Sequence, residues 1–134
     1  MIMPGTQASI IPNLSVSNGK AALDFYQRAF GAVEQFRVES PEGAIFAALK
    51  INGARLFVAD EAPAFNHLGP DSLGGTSVRI DLLVPDPDAV HAQALAAGAI
   101  EISPVREEEV GPRMGVVRDP FGHIWLIGAP WDPS

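Results

Sequence analysis

The chain has 134 residues, no cysteine and a formal net charge of −7. That length suits one domain and buries roughly 68% of the unfolded surface, enough for a real core. The charge argues against nucleic acid or an anionic membrane surface as partner, since both reward clustered Lys and Arg, and the missing cysteines exclude disulfides, thiolate catalysis and Cys-based metal sites. No apolar run approaches the ~20 residues needed to span a bilayer. The start, Met-Ile-Met-Pro-Gly, lacks the basic region and apolar stretch of a signal peptide, so a cytoplasmic protein is expected.

Residues 9–16 alternate around a β-rich run and predict a strand. Asn18 offers an N-cap, and residues 21–30 follow at helical spacing with Ala22, Phe25, Tyr26 and Ala29 on one stripe. Gly31 ends that helix in the left-handed conformation glycine permits. Strands are expected over 33–38, 44–51 and 55–59, joined by a turn at Pro41-Glu42-Gly43 and a type I′ hairpin at Asn52-Gly53. Residues 60–75, with Pro63, Gly69, Pro70 and Gly74-Gly75, read as a linker. A second unit opens with a strand over 77–84. Asp86 as N-cap, Pro87 at the first helical position and Asp88 beside the positive helix end start a helix over 89–97, which Gly98 stops. Strands over 100–105, 114–118 and 124–127 complete it, with Asp119-Pro120-Phe121-Gly122 as a tight turn and the tail from Ala129 as loop.

The two units repeat each other. Val16 falls on Val84, Asn18 on Asp86, Gly31-Ala32-Val33-Glu34 on Gly98-Ala99-Ile100-Glu101, and residues 53–59 on 122–128. A repeat this long means one supersecondary unit used twice, whose copies pack together to bury their apolar faces. The expected fold class is α+β: tandem βαβββ modules in a single domain over 1–134, with module one at about 8–60, a linker at 61–75 and module two at about 76–130.

This organisation, with the segments AALDFYQRAFGA (21–32) and GVVRDPFGHIWLI (115–127), resembles the vicinal oxygen chelate superfamily over almost the whole chain. That group includes glyoxalase I, bleomycin-resistance proteins, fosfomycin-resistance enzymes and extradiol dioxygenases, and the second segment is most similar to a bacterial glyoxalase-like branch. The resemblance implies a mixed sheet curled around a cleft, the glyoxalase/bleomycin-resistance fold, within a homodimer. In metal-dependent members, inward His, Glu or Gln on the first and last strand of each module hold the ion. Those positions fall on Ile11, Phe57, Arg79 and Leu126, none of which can ligate, and the permanent cation of Arg79 repels a divalent ion. Asn13 and Asp81, two residues along, offer two oxygens without imidazole, a poor transition-metal set. No cofactor is expected, with a divalent metal as the minor alternative.

Strand alternation then assigns faces. Ile11, Asn13, Ser15, Arg55, Phe57, Ala59, Arg79, Asp81, Leu83, Ile124, Leu126 and Gly128 face the cleft, while Ile10, Leu14, Val16, Val78, Ile80, Leu82 and Val84 lie under the helices. The ligand-binding candidates are Asn13, Ser15, Arg55, Phe57, Arg79, Asp81 and Leu126: an apolar site with a few polar anchors, as small-molecule pockets have. An inward guanidinium favours an acidic or carbonyl-rich ligand. One reading is metal-free sequestration of a small organic molecule by a homodimer. A second is an enzyme, a glyoxalase-like lyase, isomerase or dioxygenase relative, with Asp81 as candidate acid or base, a role that requires burial. A third is a structural module with a filled cleft. Plainer roles stand beside these: Arg79 paired with Asp81 at an interface, Arg55 in solvent, His67 in a solvated loop, His91 on a helix surface, and His123 structural and facing away from the cleft. Phe25, Tyr26, Phe121 and Trp125 read as core or turn residues, and Glu107 to Glu109 as a solvated loop.

Overall fold

A computed structural model describes Gly5 and residues 7–131. The tail beyond Trp131 and most of the residues on which the leader reading rests lie outside the described residues. The elements follow in the order β1 (Asn13–Val16), α1 (Gly19–Phe30), β2 (Val33–Glu39), β3 (Ile45–Ile51), β4 (Ala54–Asp60), α2 (Pro70–Leu73), β5 (Arg79–Leu83), α3 (Pro87–Ala97), β6 (Ile100–Arg106), β7 (Met114–Arg118) and β8 (Ile124–Gly128), with a 3-10 turn at Pro63–Phe65. Each unit is therefore a βαβββ module.

Local chemistry explains the boundaries. The Asn18 side chain accepts from the Ala21 N–H at 3.1 Å and Gly31 takes φ 68°, so α1 has both expected caps. Asp86 caps α3 in the same way, with Pro87 in its first turn. The first strand begins at Asn13, four residues later than expected. Pro12 has no N–H to donate, and the ladder with β4 stops where its carbonyl accepts from Phe57. The linker is more ordered than expected: it contains α2, and the Glu61 carboxylate accepts from the Gly69 N–H at 2.7 Å. Glu61 is consequently held below the usual carboxylate range, by the Ser72 hydroxyl first and then by that N–H.

Each module forms its own four-stranded mixed sheet, in the orders β1-β4-β3-β2 and β5-β8-β7-β6. The first and last strands of a module pair in parallel and the remaining neighbours are antiparallel. No ladder joins β1 to β5 among the described residues, so the mixed-sheet arrangement expected of the tandem modules is built from two four-stranded sheets meeting at a seam.

The core lies between the helices and the inner sheet faces. Val16, Tyr26, Phe25, Val58, Val117, Trp125 and Ile127 are almost wholly buried, and each large apolar side chain so placed contributes roughly 1.5–3 kcal/mol. The aromatic residues of α1 cross to module two: Phe30 packs on Trp125 at 4.6 Å between ring centroids, and Phe25 on Phe121 at 6.3 Å. The Tyr26 hydroxyl donates to the buried carboxylate of Asp119. These residues are core and turn, as expected.

Three expectations about faces are corrected. His91 is buried, not on the surface, at 5% exposure, with its Nε2–H donating to Glu101 at 2.9 Å. Val78 and Ile10 are not under a helix: Val78 precedes β5 and is 65% exposed, and Ile10 precedes β1 and is 97% exposed.

Candidate functional site

The seam between β1 and β5 creates the site. Parallel pairing sets Asn13 beside Phe57 and Ser15 beside Ala59 in the first sheet, and Arg79 beside Ile124 and Asp81 beside Leu126 in the second. Equivalent residues of the repeat therefore stand at equivalent places. Because the inner faces are taken by Leu14, Val16, Leu82 and Val84, the alternate side chains, Asn13, Ser15, Arg79 and Asp81, point away from the helices.

A hollow of about 590 Å³ opens along this seam, lined by Asn13, Ser15, Arg79 and Asp81 together with Ile11, Pro12, Leu68, Val78 and Ile80. A second hollow of about 330 Å³ lies on the other side of Ile10 and Pro12 and includes Arg55. Ile80 and Asp81 belong to both. The structure thus gathers the five polar candidates, Asn13, Ser15, Arg55, Arg79 and Asp81, around one continuous seam. Phe57 and Leu126 line neither hollow: each sits one strand in from the edge. Arg79 and Asp81 make no ion pair with each other or with any other described residue. Asp81 is exposed in the single chain, so one chain alone does not provide the seclusion its use as acid or base requires.

His123 was expected on the far face, but its ring reaches the seam. It lines the larger hollow, and its Nε2 lies 2.9 Å from the Ser15 carbonyl. A carbonyl only accepts, so this nitrogen carries the hydrogen. The bond ties module two to module one across the seam, a structural task carried out at the site.

Sequence reasoning also missed the outer face of the first sheet beyond β4. Phe36, Phe46 and Phe57 form a continuous aromatic surface there, with ring centroids 6.0 and 5.3 Å apart. The guanidinium of Arg55 sits 5.6 Å above the Phe57 ring. Strict alternation in β3, with Phe46 and Lys50 outward between the buried Ile45, Ala47, Leu49 and Ile51, was the available signal.

A resident metal fails on donor chemistry. The four positions the resemblance assigns to ligands hold hydrocarbon or guanidinium, at Ile11, Phe57, Leu126 and Arg79. No three His, Cys, Asp or Glu residues converge among those described. The residues present do not fit a divalent ion.

Two βαβββ modules, each with a mixed four-stranded sheet and one packed helix, define a protein of the glyoxalase/bleomycin-resistance fold in the vicinal oxygen chelate superfamily. The chain belongs to the glyoxalase-like domain family, whose pattern matches residues 13–127. It is 44% identical over 128 residues to an uncharacterized protein of Mycobacterium bovis, covering 92% of this chain and 84% of that one. Among solved structures it is similar to TioX from Micromonospora sp. ML1, with a TM-score of 0.72, 26% identity, and coverage of 92% of this chain and 98% of TioX. It also shares its fold with TnmS3, an antibiotic binding protein from Streptomyces sp. CB03234, with a TM-score of 0.70 and 19% identity, covering 96% of this chain and all of TnmS3.

Proposed function

We propose that this protein binds a small organic molecule at the β1–β5 seam without a metal, acts by sequestration, and works as a cytoplasmic homodimer. The observation that carries the reading is the seam itself: an apolar hollow whose few polar groups, Arg79 and Asp81 above all, lack ion partners among the described residues. Such groups are available to a ligand at no cost in broken pairs. The fold relative TnmS3, an antibiotic binding protein, supports the same class of activity. The dimer is favoured because each helix covers only one face of its sheet, leaving Val38, Ile100 and Ile102 about half exposed or more. An enzymatic reading has one observation in its favour: Asp81 is shared by both hollows, where it could serve as acid or base in a metal-free lyase or isomerase once a second copy secludes it.

A thermal-shift screen against a library of metabolites and antibiotics tests the proposal. A ligand at a hundred times its dissociation constant adds about 2.7 kcal/mol of stability, so hits raise Tm, and Arg79→Ala removes the rise. A shift that Arg79→Ala leaves unchanged rejects the site. Stoichiometric nickel, zinc, manganese or iron in the purified protein rejects the metal-free reading, and turnover of a hit that Asp81→Asn abolishes would move the protein to the enzymatic one.

A further inference from the structure

We propose that the ligand is an aromatic anion, and that the outer face of the first sheet is the surface that selects it, the ring resting on Phe36, Phe46 and Phe57 and the charge meeting Lys50 and Arg55. The inference rests on the small-molecule reading above and specifies its chemical class.

The first observation is how the chain sorts its charges. It is acidic overall, with nine Lys and Arg against sixteen Asp and Glu. Lys20, Arg28, Arg37, Arg106 and Arg113 each pair with a carboxylate. The other cations, Lys50, Arg55, Arg79 and Arg118, have no carboxylate partner among the described residues, and strand alternation puts all of them on the outer sheet faces. On β1, β3, β4, β5, β7 and β8 the only outward carboxylate is Asp81. An acidic protein has thus left its free cations on the two faces that carry no helix. The net charge of −7 does not cancel them, because exposed charges more than about 8–10 Å away are largely screened at physiological salt.

The second observation is a local rule broken. Lys50 and Arg55 are direct cross-strand partners in the β3–β4 ladder. Like charges directly opposite destabilise a sheet, and such conflicts concentrate where function requires them. The next row in from this pair, Phe36–Ala48–Phe57–Asn13, and the row after it, Val38–Phe46–Ala59–Ser15, are apolar up to the seam. Ala48 is only 3% exposed although no helix covers it, and Phe36 and Phe57 stand directly opposite it on the two neighbouring strands. The result is an aromatic shelf, its neighbouring rings tilted by 52° and 57° to one another, with two cations along one end and the polar seam along one side. A planar ring packs against such tilted rings edge-to-face, and a carboxylate on that ring meets the guanidinium held beside Phe57.

Isothermal titration with 2-naphthoate and its neutral isostere 2-naphthamide provides the test. Naphthoate should bind on the order of tenfold more tightly than the amide, and this preference should fall as salt is raised. Lys50→Gln with Arg55→Gln, both at exposed positions, should bring naphthoate down to the amide's affinity and abolish the preference, with the Tm no lower than that of the parent, because the like-charged pair is gone. Phe57→Leu should weaken both probes. Equal affinities for the two probes overturn the proposal, as does the absence of naphthoate binding at millimolar concentration. Naphthoate binding that survives loss of Lys50 and Arg55 but is lost in Arg79→Ala overturns the shelf and leaves the seam reading standing. Shelf variants that convert a dimer to monomer with no effect on either probe would make the shelf a contact with a second copy, and overturn it too.

Discussion

Asp119 is 2% exposed, and its carboxylate accepts hydrogen bonds from the Tyr26 hydroxyl, the Trp125 indole N–H at 3.0 Å, and the backbone N–H groups of Phe121 and His123 at 2.9 and 3.0 Å. A buried charge persists only when its lone pairs are satisfied in this way. The tight turn expected at Asp119–Gly122 is therefore also a joint, since Tyr26 comes from module one. Asp119→Ala strands its donors and should cost about 3–5 kcal/mol in urea denaturation, whereas Tyr26→Phe, which removes one donor, should cost about 1–2 kcal/mol. Burial, and then the Asp119 charge, push the Tyr26 phenol well above its ordinary value. The folded state thus favours the neutral phenol, and the associated stability is fully present below the unfolded pKa of about 10 and declines as pH rises beyond it. Tyr26 is the only tyrosine in the chain, so its ultraviolet titration reads this directly: phenolate should appear only as the protein unfolds. A normal, reversible phenol titration in the folded state would contradict the joint.

At the scale of elements, α3 departs furthest from its sequence reading. His91, with Asp88 at i−3, reads as a surface residue, yet its ring lies between α3 and the second sheet. A Cβ built on Gly115 of β7 would stand 2.6 Å from His91 Nδ1 and 2.8 Å from Val105, so the missing side chain makes room for the ring. Only the Nε2 edge finds a partner, Glu101, and Nδ1 has none among the described residues. Gly115→Ala should lower stability by about 1–3 kcal/mol through overpacking. Combined with His91→Ala, it should cost less than the two single changes summed, because the clash disappears with the ring. Additive losses would show that Val105 or the backbone, not His91, limits the site. The N-terminus of α3 follows expectation more closely. Asp88 is held below the usual carboxylate range, first by its hydrogen bond from Arg113. The paired contacts at 2.9 Å also tie the loop before β7 to the helix.

At the scale of the whole molecule, the architecture leaves two sheets with helices on one side only. No helix among the described residues is long and apolar enough to cross a membrane. The apolar residues on the open faces, Val38, Ile100 and Ile102 among them, suit cover by a second copy. Sedimentation should give a mass about twice 14.2 kDa. Val38→Glu, on an exposed strand position outside the seam, should shift the protein toward monomer while leaving its fold intact, because a charge there is solvated in one chain and buried between two. A monomeric parent protein would remove the dimer from the proposal. The sequence by itself determined the α+β class, the two βαβββ modules, most element boundaries to within a few residues, and the outward set Asn13, Ser15, Arg55, Arg79 and Asp81. These follow from alternation, helical spacing, caps and turn residues, all of which act over a few positions along the chain. Only the tertiary structure decided that the sheets meet at an open seam, that His123 bridges it, that His91 is buried against a glycine more than twenty positions away, and that the cations without a carboxylate partner among the described residues share the outer faces. Each of these depends on how close distant residues come when the modules pack, and local pattern carries no information about that distance.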